Sequence, residues 1–310
     1  MSINFKGRVA IVTGAGGGLG RQHALALAAR GARVVVNDLG GSRDGVGGSV
    51  SAAQAVVDEI KAMGGQAIAN GASVTDYAAV QAMVQQAIDA WGRVDILVNN
   101  AGILRDKSFA KMEMTDFELV MNVHLMGAVH CCKAVWPHMN AQKYGRIVIT
   151  TSSSGLYGNF GQSNYSAAKM ALVGLMQTLS IEGAKNDIRV NCLAPTAATR
   201  MTQDLMPEAI LQALKPEAVV PAMLVLASAD APNRTILCAG AGTFEAAHIT
   251  LTQGVHLGHD SDVAEQLAER LDEVTARAGE IVPQSGAAQG GNEIAKAKIE
   301  VAGAARLTAA

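Results

Sequence analysis

The sequence predicts an α/β fold with a doubly wound parallel sheet, and three observations carry that reading. Apolar runs of strand length alternate with longer segments of helical length, four of those runs are apolar nearly throughout, and a glycine cluster sits where the first run passes into the first helical segment. A half-exposed antiparallel strand alternates apolar with polar residues, whereas a strand covered on both faces does not.

Taken in order, the first run is 8–12, followed by a helical segment over 19–30. The second run, 33–36, leads through the polar, glycine-rich stretch 40–48 into a helix over 51–63. The third run, 66–69, precedes a helix over 76–91, and the fourth, 95–98, precedes a long helix over 115–141. The fifth, 146–150, is followed by a helix over 164–185, and the sixth, 188–193, closes the predicted sheet. Beyond residue 258 the pattern changes. Val263, Leu267, Leu271 and Val274 share one face of a helix over about 262–277, and the Gly/Ala/Gln-rich remainder reads as loosely ordered. The expected organisation is a single domain over 1–258 with a C-terminal extension over 259–310.

Composition narrows the function. With 25 Lys+Arg against 27 Asp+Glu the net charge is −2, which offers neither nucleic acid nor an anionic membrane an electrostatic footprint. The uncharged stretch 147–168 is rich in Ser, Gly and Asn, so no membrane span is expected. Cys131, Cys132, Cys192 and Cys238 show no CxxC spacing, and His256 and His259 lack a carboxylate or thiol at matching distance, so neither a disulfide framework nor a catalytic metal is expected. The N-terminus has no secretory pattern and the C-terminus no peroxisomal tripeptide, which makes the cytoplasm the expected compartment.

Thr13-Gly14-Ala15-Gly16-Gly17-Gly18-Leu19-Gly20 leaves the first strand and opens the first helix, where missing side chains let a pyrophosphate approach backbone N–H groups and the positive helix end. A tight turn with no ligand has the same glycines. Asp38, at the end of the second strand, is placed to accept hydrogen bonds from both adenosine ribose hydroxyls and to repel a 2′-phosphate. Gly17 offers no cation either, so NAD is favoured over NADP. Asn99-Asn100-Ala101-Gly102 follows the fourth strand, where its amides can brace loop and strand. Tyr165 has Lys169 four residues on, hence on the same helix face, and an ammonium there lowers a phenol's pKa toward working pH, as a general base requires. Ser152 ends the fifth strand, positioned to hydrogen-bond a substrate oxygen. A surface Tyr/Lys helix pair is the competing account.

Through Gly14, Gly18, Gly20, Asn99–Gly102, Ser152 and Tyr165xxxLys169 the sequence resembles the short-chain dehydrogenase/reductase family over residues 4–258. The strings 36–41, 99–106 and 155–162 resemble more narrowly the dehydrogenase parts of the peroxisomal multifunctional β-oxidation enzymes. The resemblance implies a Rossmann-type domain and NAD-dependent oxidation of a (3R)-hydroxyacyl-CoA, with a free 17β-hydroxysteroid as the alternative substrate, since the mammalian relative oxidises both. A non-catalytic NAD-sensing module is the alternative of another class. Position by position, the resemblance makes Tyr165 the base, Ser152 the group that orients the hydroxyl, and Lys169 the holder of the nicotinamide ribose. It assigns Gly14, Gly18, Leu19, Gly20, Asp38, Ser73, Val74, Asn100, Ala101, Gly102, Pro195 and Thr199 to the cofactor. His124 stands where the family has an asparagine, and is either a relay group or a packed interior histidine. Pro195-Thr196 replaces the family's Pro-Gly. Tyr157 and Met201 are substrate candidates, within a rim and an apolar segment over 196–216, and Arg105 and Lys107 are candidates for CoA phosphates or else solvated loop charges. A homodimer or homotetramer follows from the resemblance, through the helices over 115–141 and 164–185.

Overall fold

The computed structural model describes residues 3–41, 47, 49–198 and 207–298. Its sheet is built from β1 (Val9–Thr13), β2 (Arg33–Asn37), β3 (Gln66–Asn70), β4 (Ile96–Asn99), β5 (Gly145–Thr150), β6 (Ile188–Thr196), β7 (Ile236–Gly240) and β8 (Thr243–Ala247). The spatial order is β3-β2-β1-β4-β5-β6-β7-β8, parallel throughout except for the antiparallel β7–β8 hairpin.

The uninterrupted apolar runs have a direct cause. Ala10, Val12, Val34, Val36, Ile96, Val98 and Val148 point into one core, while Val9, Ile11, Val35, Leu97, Ile147 and Ile149 point into the other. The first core is covered by α1 (Gly18–Ala29), α2 (Ser51–Ala62) and α9 (Val220–Ala227), through Leu27, Ile60 and Met223. The second is covered by α3 (Tyr77–Trp91), α5 (Gly127–Gln142) and α7 (Ser163–Gly183), through Met83, Met139 and Leu172. Asp76 caps α3 by accepting from Ala79 N–H at 3.1 Å, and Gly92 ends it in the left-handed conformation, φ 76°.

At the amino ends of the strands, Arg146 is 1% exposed and donates to the carbonyls of Asp187, Ser228 and Ala229. The Tyr144 ring lies between the guanidinium groups of Arg8 and Arg146, at 3.7 and 4.2 Å. Buried Asp95 accepts from Arg8, Arg93 and Val9 N–H. This paired end leaves the carboxyl ends, at the β1/β4 switch in strand order, as the place where open α/β sheets bind ligands.

Several elements depart from the sequence expectation. The long helix over 115–141 is α4 (Met114–Met121), a π turn (Asn122–Met126) and α5. As one 29-residue span it has the length and composition of a membrane helix, yet its apolar residues Cys131, Val135 and Met139 are buried in the second core, so sheet packing explains the apolarity. The sixth strand runs on through Pro195 and Thr196, paired with Ala239 and Gly240, because threonine extends a strand where glycine would release it. β7 and β8 were not foreseen: the first, ILCAG, is an apolar run as long as β1, and the second is an exposed edge strand of sequence TFEAA, without an apolar run.

The chain divides into two compact units, Met1–Ala247 and His248–Ala310, so the division falls at the end of the β7–β8 hairpin and not at 258. In the second unit the helix expected over 262–277 is two, α10 (Val263–Glu269) and α11 (Leu271–Thr275), because Arg270 leaves helical geometry at φ −109°, ψ 19°. The remainder read as loosely ordered contains α12 (Gly286–Lys296), aided by a Gln289–Glu293 hydrogen bond one turn apart. Leu251 and Ile281 form a bridge, and no residue of these three helices is buried.

Candidate active site

Between β1 and α1 the chain makes a turn that only glycine tolerates at two points. Gly14 has φ 62°, and a Cβ there would lie 2.8 Å from the Ala101 Cα; a Cβ on Gly20 would strike the Gly14 carbonyl. Asn100 fastens the turn, its side-chain amide donating to the carbonyls of Thr13 (3.0 Å) and Gly14 (3.1 Å), while the Thr13 hydroxyl accepts from the N–H groups of Asn100 and Ala101. The amide brace expected at 99–102 is therefore Asn100; Asn99 instead turns to Cys132 Sγ at 3.2 Å. Helix α1 begins at Gly18 without a side-chain cap or an acidic residue in its first turn, so its positive end faces outward unneutralised. Asp38 accepts from Gly16 N–H and Gly40 N–H, both at 2.7 Å, which fixes the carboxylate at the rim of the same turn. These features fit a dinucleotide: backbone and helix dipole toward the pyrophosphate, a fixed carboxylate toward the adenosine ribose.

Ser73 and Val74 follow β3. The Ser73 hydroxyl pairs with Thr75 Oγ1 at 2.8 Å, and the Val74 carbonyl meets His130 Nδ1 at 2.9 Å. Gly127 lets Val74 pack against α5, since a Cβ there would lie 2.7 Å from a Val74 methyl.

On the far side of the switch point, β5 ends at Thr150, and Ser152 heads the short helix α6 (Ser153–Tyr157), its Oγ accepting from Ser154 N–H at 3.2 Å. Ser152 is 8% exposed and hydrogen-bonds the Tyr165 hydroxyl. Lys169 is 3% exposed, its ammonium 5.5 Å from the centre of the Tyr165 ring and donating to the Thr150 carbonyl at 2.6 Å. Gly155 permits this packing of α6 on α7, since a Cβ there would lie 2.7 Å from the Lys169 Cβ. Serine, tyrosine and lysine thus converge.

Their titration differs from the sequence expectation. Burial pushes the Tyr165 phenol above its ordinary value, with the Ser152 hydrogen bond pulling it down and the Asp106 carboxylate pushing it up. Burial of Lys169 lowers its ammonium to about 7. The two groups share a pocket in which desolvation dominates, so the phenol is not lowered by proximity alone.

His124 lies in the π turn, buried, its ring edge-on to Tyr165 at 5.2 Å. Its Nε2 is 2.8 Å from the Ile103 carbonyl and 3.1 Å from the Ile103 N–H. Burial, then the Lys169 charge, lower its pKa to about 3, so the imidazole is neutral. A π turn adds one residue to a helical turn and recurs at functional sites; here it carries a histidine inward against Gly102, whose missing side chain leaves room for the ring.

Other candidates are placed differently. Arg105 and Lys107 pair with Asp116 at 3.4 and 4.0 Å, so a phosphate would have to compete with that carboxylate. Tyr157 is 72% exposed at the end of α6, and Pro195 lies within β6. Thr199 and Met201 lie outside the described residues. Two contributors were missed by sequence reasoning. Buried Asn164 accepts from Tyr165 N–H at 2.7 Å and donates to the Arg105 carbonyl at 3.0 Å, and Asp106 is held by Gln162 at 2.7 Å. The only sequence signal for Asn164 was its adjacency to Tyr165.

The short chain dehydrogenase family profile matches residues 8–209. The chain is 50% identical to peroxisomal multifunctional enzyme A of Dictyostelium discoideum over 258 residues, 83% of this chain and 58% of that enzyme. It is 47% identical to a short-chain type dehydrogenase/reductase of Mycobacterium tuberculosis over 273 residues, 88% of this chain and 95% of that one. Among solved structures, full-length peroxisomal multifunctional enzyme type 2 of Drosophila melanogaster superposes with a TM-score of 0.78 at 36% identity, covering 93% of this chain and 49% of that one. The chain thus spans between 25% and 58% of the length of the multifunctional proteins it matches.

Proposed function

The chain belongs to the short-chain dehydrogenase family, and from that premise we propose that it oxidises the 3-hydroxyl of a (3R)-hydroxyacyl-CoA to the ketone with NAD as acceptor. The convergence of Ser152, Tyr165 and Lys169 beside the glycine turn carries this reading.

The residues that would hold the dinucleotide are Gly14, Gly18, Leu19 and Gly20 at the pyrophosphate, Asp38 at the adenosine ribose, Ser73 and Val74 beside the adenine, Asn100 to Gly102 along the middle, Pro195 at the nicotinamide, and Lys169 at the nicotinamide ribose. When bound, it supplies the acceptor for the hydride leaving the carbinol carbon. Asp38 favours NAD, because its carboxylate is pinned by two N–H groups where a 2′-phosphate would bring further negative charge.

Ser152 donates to the carbinol oxygen and fixes which face of the alcohol is presented. Tyr165, already hydrogen-bonded to Ser152, takes the hydroxyl proton as the carbon–oxygen double bond forms. Lys169 stabilises the phenolate form of Tyr165 that accepts this proton and becomes the neutral phenol. That proton transfer requires the phenol, held high by burial in the free protein, to be lowered by positive charge in the filled site; the Lys169 ammonium is the group in place to do so. His124 and Asn164 act behind these three, fixing the backbone of Ile103 and Arg105 beneath the substrate side.

The acyl-CoA assignment is supported by the multifunctional enzymes among the relatives, and Arg105 and Lys107 are its proposed phosphate contacts. NADH formation with a medium-chain (3R)-hydroxyacyl-CoA, its (3S) isomer and a free 17β-hydroxysteroid tests the proposal. Selective turnover of the (3R) thioester is expected; turnover of the steroid alone overturns the thioester assignment, and turnover of none overturns the reaction.

A further inference from the structure

Asp106 is an exposed residue of the segment between β4 and α4, yet it is held at three points. The carbonyl of Arg105 before it accepts from the Asn164 amide at 3.0 Å, and the N–H of Lys107 after it donates to the Gly161 carbonyl at 2.9 Å. Its own carboxylate accepts from the Gln162 side chain at 2.7 Å, and Gln162 in turn accepts from Asn159 at 3.0 Å. Every partner lies among residues 159–164, the stretch that leads directly into Tyr165. This clamp fixes the carboxylate relative to the phenol. Gln162 is also the N-cap residue of α7, so the carboxylate stands at the positive end of that helix, where a negative charge is stabilised.

The other groups around the phenol are of different kinds. Lys169 lies one helical turn on along α7, 5.5 Å from the ring centre, and the neutral His124 meets the ring edge-on from the π turn. Ser152, from the end of β5, hydrogen-bonds the hydroxyl. Ile103 and Val120 belong to the apolar cluster against which Tyr165 packs, and the α4 carboxylate Asp116 is paired with Arg105 and Lys107. Burial is the largest force raising the phenol, the Ser152 hydrogen bond opposes it, and the Asp106 charge adds to it.

We propose that Asp106 is a positioning residue: fixed by the 159–164 clamp, its charge holds Tyr165 in the protonated form and sets the pH at which the site passes from ketone reduction to alcohol oxidation. In oxidation Tyr165 enters as phenolate and takes the hydroxyl proton. In the reverse direction it enters as phenol and gives that proton up, while the hydride moves between the carbinol carbon and the nicotinamide. Oxidation therefore rises, and reduction falls, as pH passes through the phenol's midpoint. Removing a negative charge lowers that midpoint, so both limbs move to lower pH. A clamp with only a structural role would change plateau rates or KM and leave the limbs in place.

The catalytic limbs rest on the proposed function, whereas the field on Tyr165 does not, so both are read. Asp106→Asn keeps an oxygen for Gln162 and removes the charge. Carbon NMR of the ligand-free protein labelled at tyrosine Cζ, with Tyr165→Phe identifying the resonance, follows ionisation of the phenol into the alkaline range. Ionisation is expected about half a pH unit lower in Asp106→Asn, the size of a charge interaction screened at an exposed residue. Raising the salt to about 1 M, where the Debye length is about 3 Å, is expected to close most of that gap. The pH profiles of kcat/KM for (3R)-hydroxyacyl-CoA oxidation and 3-oxoacyl-CoA reduction are expected to move down by the same amount. An unchanged Tyr165 resonance, a shift to higher pH, a gap that survives high salt, or limbs that stay in place in an active enzyme overturns the inference. If the wild type turns over neither thioester, the proposed function falls and the NMR comparison still decides for or against Asp106.

Discussion

Replacing Lys169 by methionine tests the energetics of the site in a way turnover cannot. Its ammonium is pushed by burial from 10.5 to about 7 in the folded chain. Between those values the unfolded chain binds a proton that the folded chain does not, so stability rises with pH across the window, and the full cost of the charge is felt below pH 7. At 1.36 kcal/mol per unit, the contribution changes by about 2 kcal/mol between pH 7 and pH 9. Lys169→Met removes this slope. It also removes the donor to the Thr150 carbonyl, which shifts stability by a constant amount and leaves the slope of the difference untouched. Urea unfolding of both proteins without cofactor at pH 7 and pH 9 gives that difference, with all other titrations cancelling. The variant is expected to gain on the wild type at the lower pH. A difference that is the same at both pH values, within about 0.5 kcal/mol, refutes the reasoning.

Further outcomes follow from single contacts. Tyr165→Phe is expected to lose 10²-fold or more of turnover, about the value of general-base catalysis, while keeping NAD affinity by fluorescence titration; retained turnover removes Tyr165 from the mechanism. Asp38→Asn keeps the size of the side chain and removes its charge, so the ratio of kcat/KM for NAD to that for NADP is expected to fall about tenfold, and an unchanged ratio removes Asp38 from cofactor choice. Reversing charge at Arg105 and Lys107 is expected to raise KM for CoA esters and spare smaller alcohols. Because both pair with Asp116, Asp116→Asn serves as the control: it removes the competing carboxylate charge and is expected to lower the same KM, and equal effects on all substrates refute the phosphate contact.

The parallel sheet was legible because burial on both faces leaves a one-dimensional trace, an apolar run with no alternation, and β1, β2, β4 and β5 all carry it. β8 was illegible for the same reason reversed: an edge strand with four of its five residues exposed has no such trace. In the site, the glycines were legible because their reason is local, a left-handed φ or a backbone at contact distance. Tyr165 and Lys169 were legible through helix spacing, but their electrostatics were not. Spacing reports that two groups are neighbours, whereas the ordering of their pKa values depends on how much water each has lost, which is a property of the packed chain.

The same limit explains His124. In sequence it is a histidine in a family position held by asparagine, and the choice between relay and packing was open. In the structure its Nε2 contacts the Ile103 backbone, its Nδ1 is buried without a hydrogen-bond partner, and the residue lines a small cavity together with Lys169. The π turn makes this possible. Without the extra residue in the turn, the α4–α5 segment would keep a constant angular advance, and a side chain reaching both Ile103 and the cavity would sit elsewhere around the helix. The segment beyond Gly102 is held at further points: Lys107 N–H to the Gly161 carbonyl, Gln162 to Asp106, and Asn164 to the Arg105 carbonyl. All three partners lie within four residues of Tyr165. The proposed proton-taking tyrosine and the proposed phosphate-binding cations are therefore carried on one braced unit, and a substitution that loosens His124 is expected to disturb KM for the thioester together with kcat, not kcat alone.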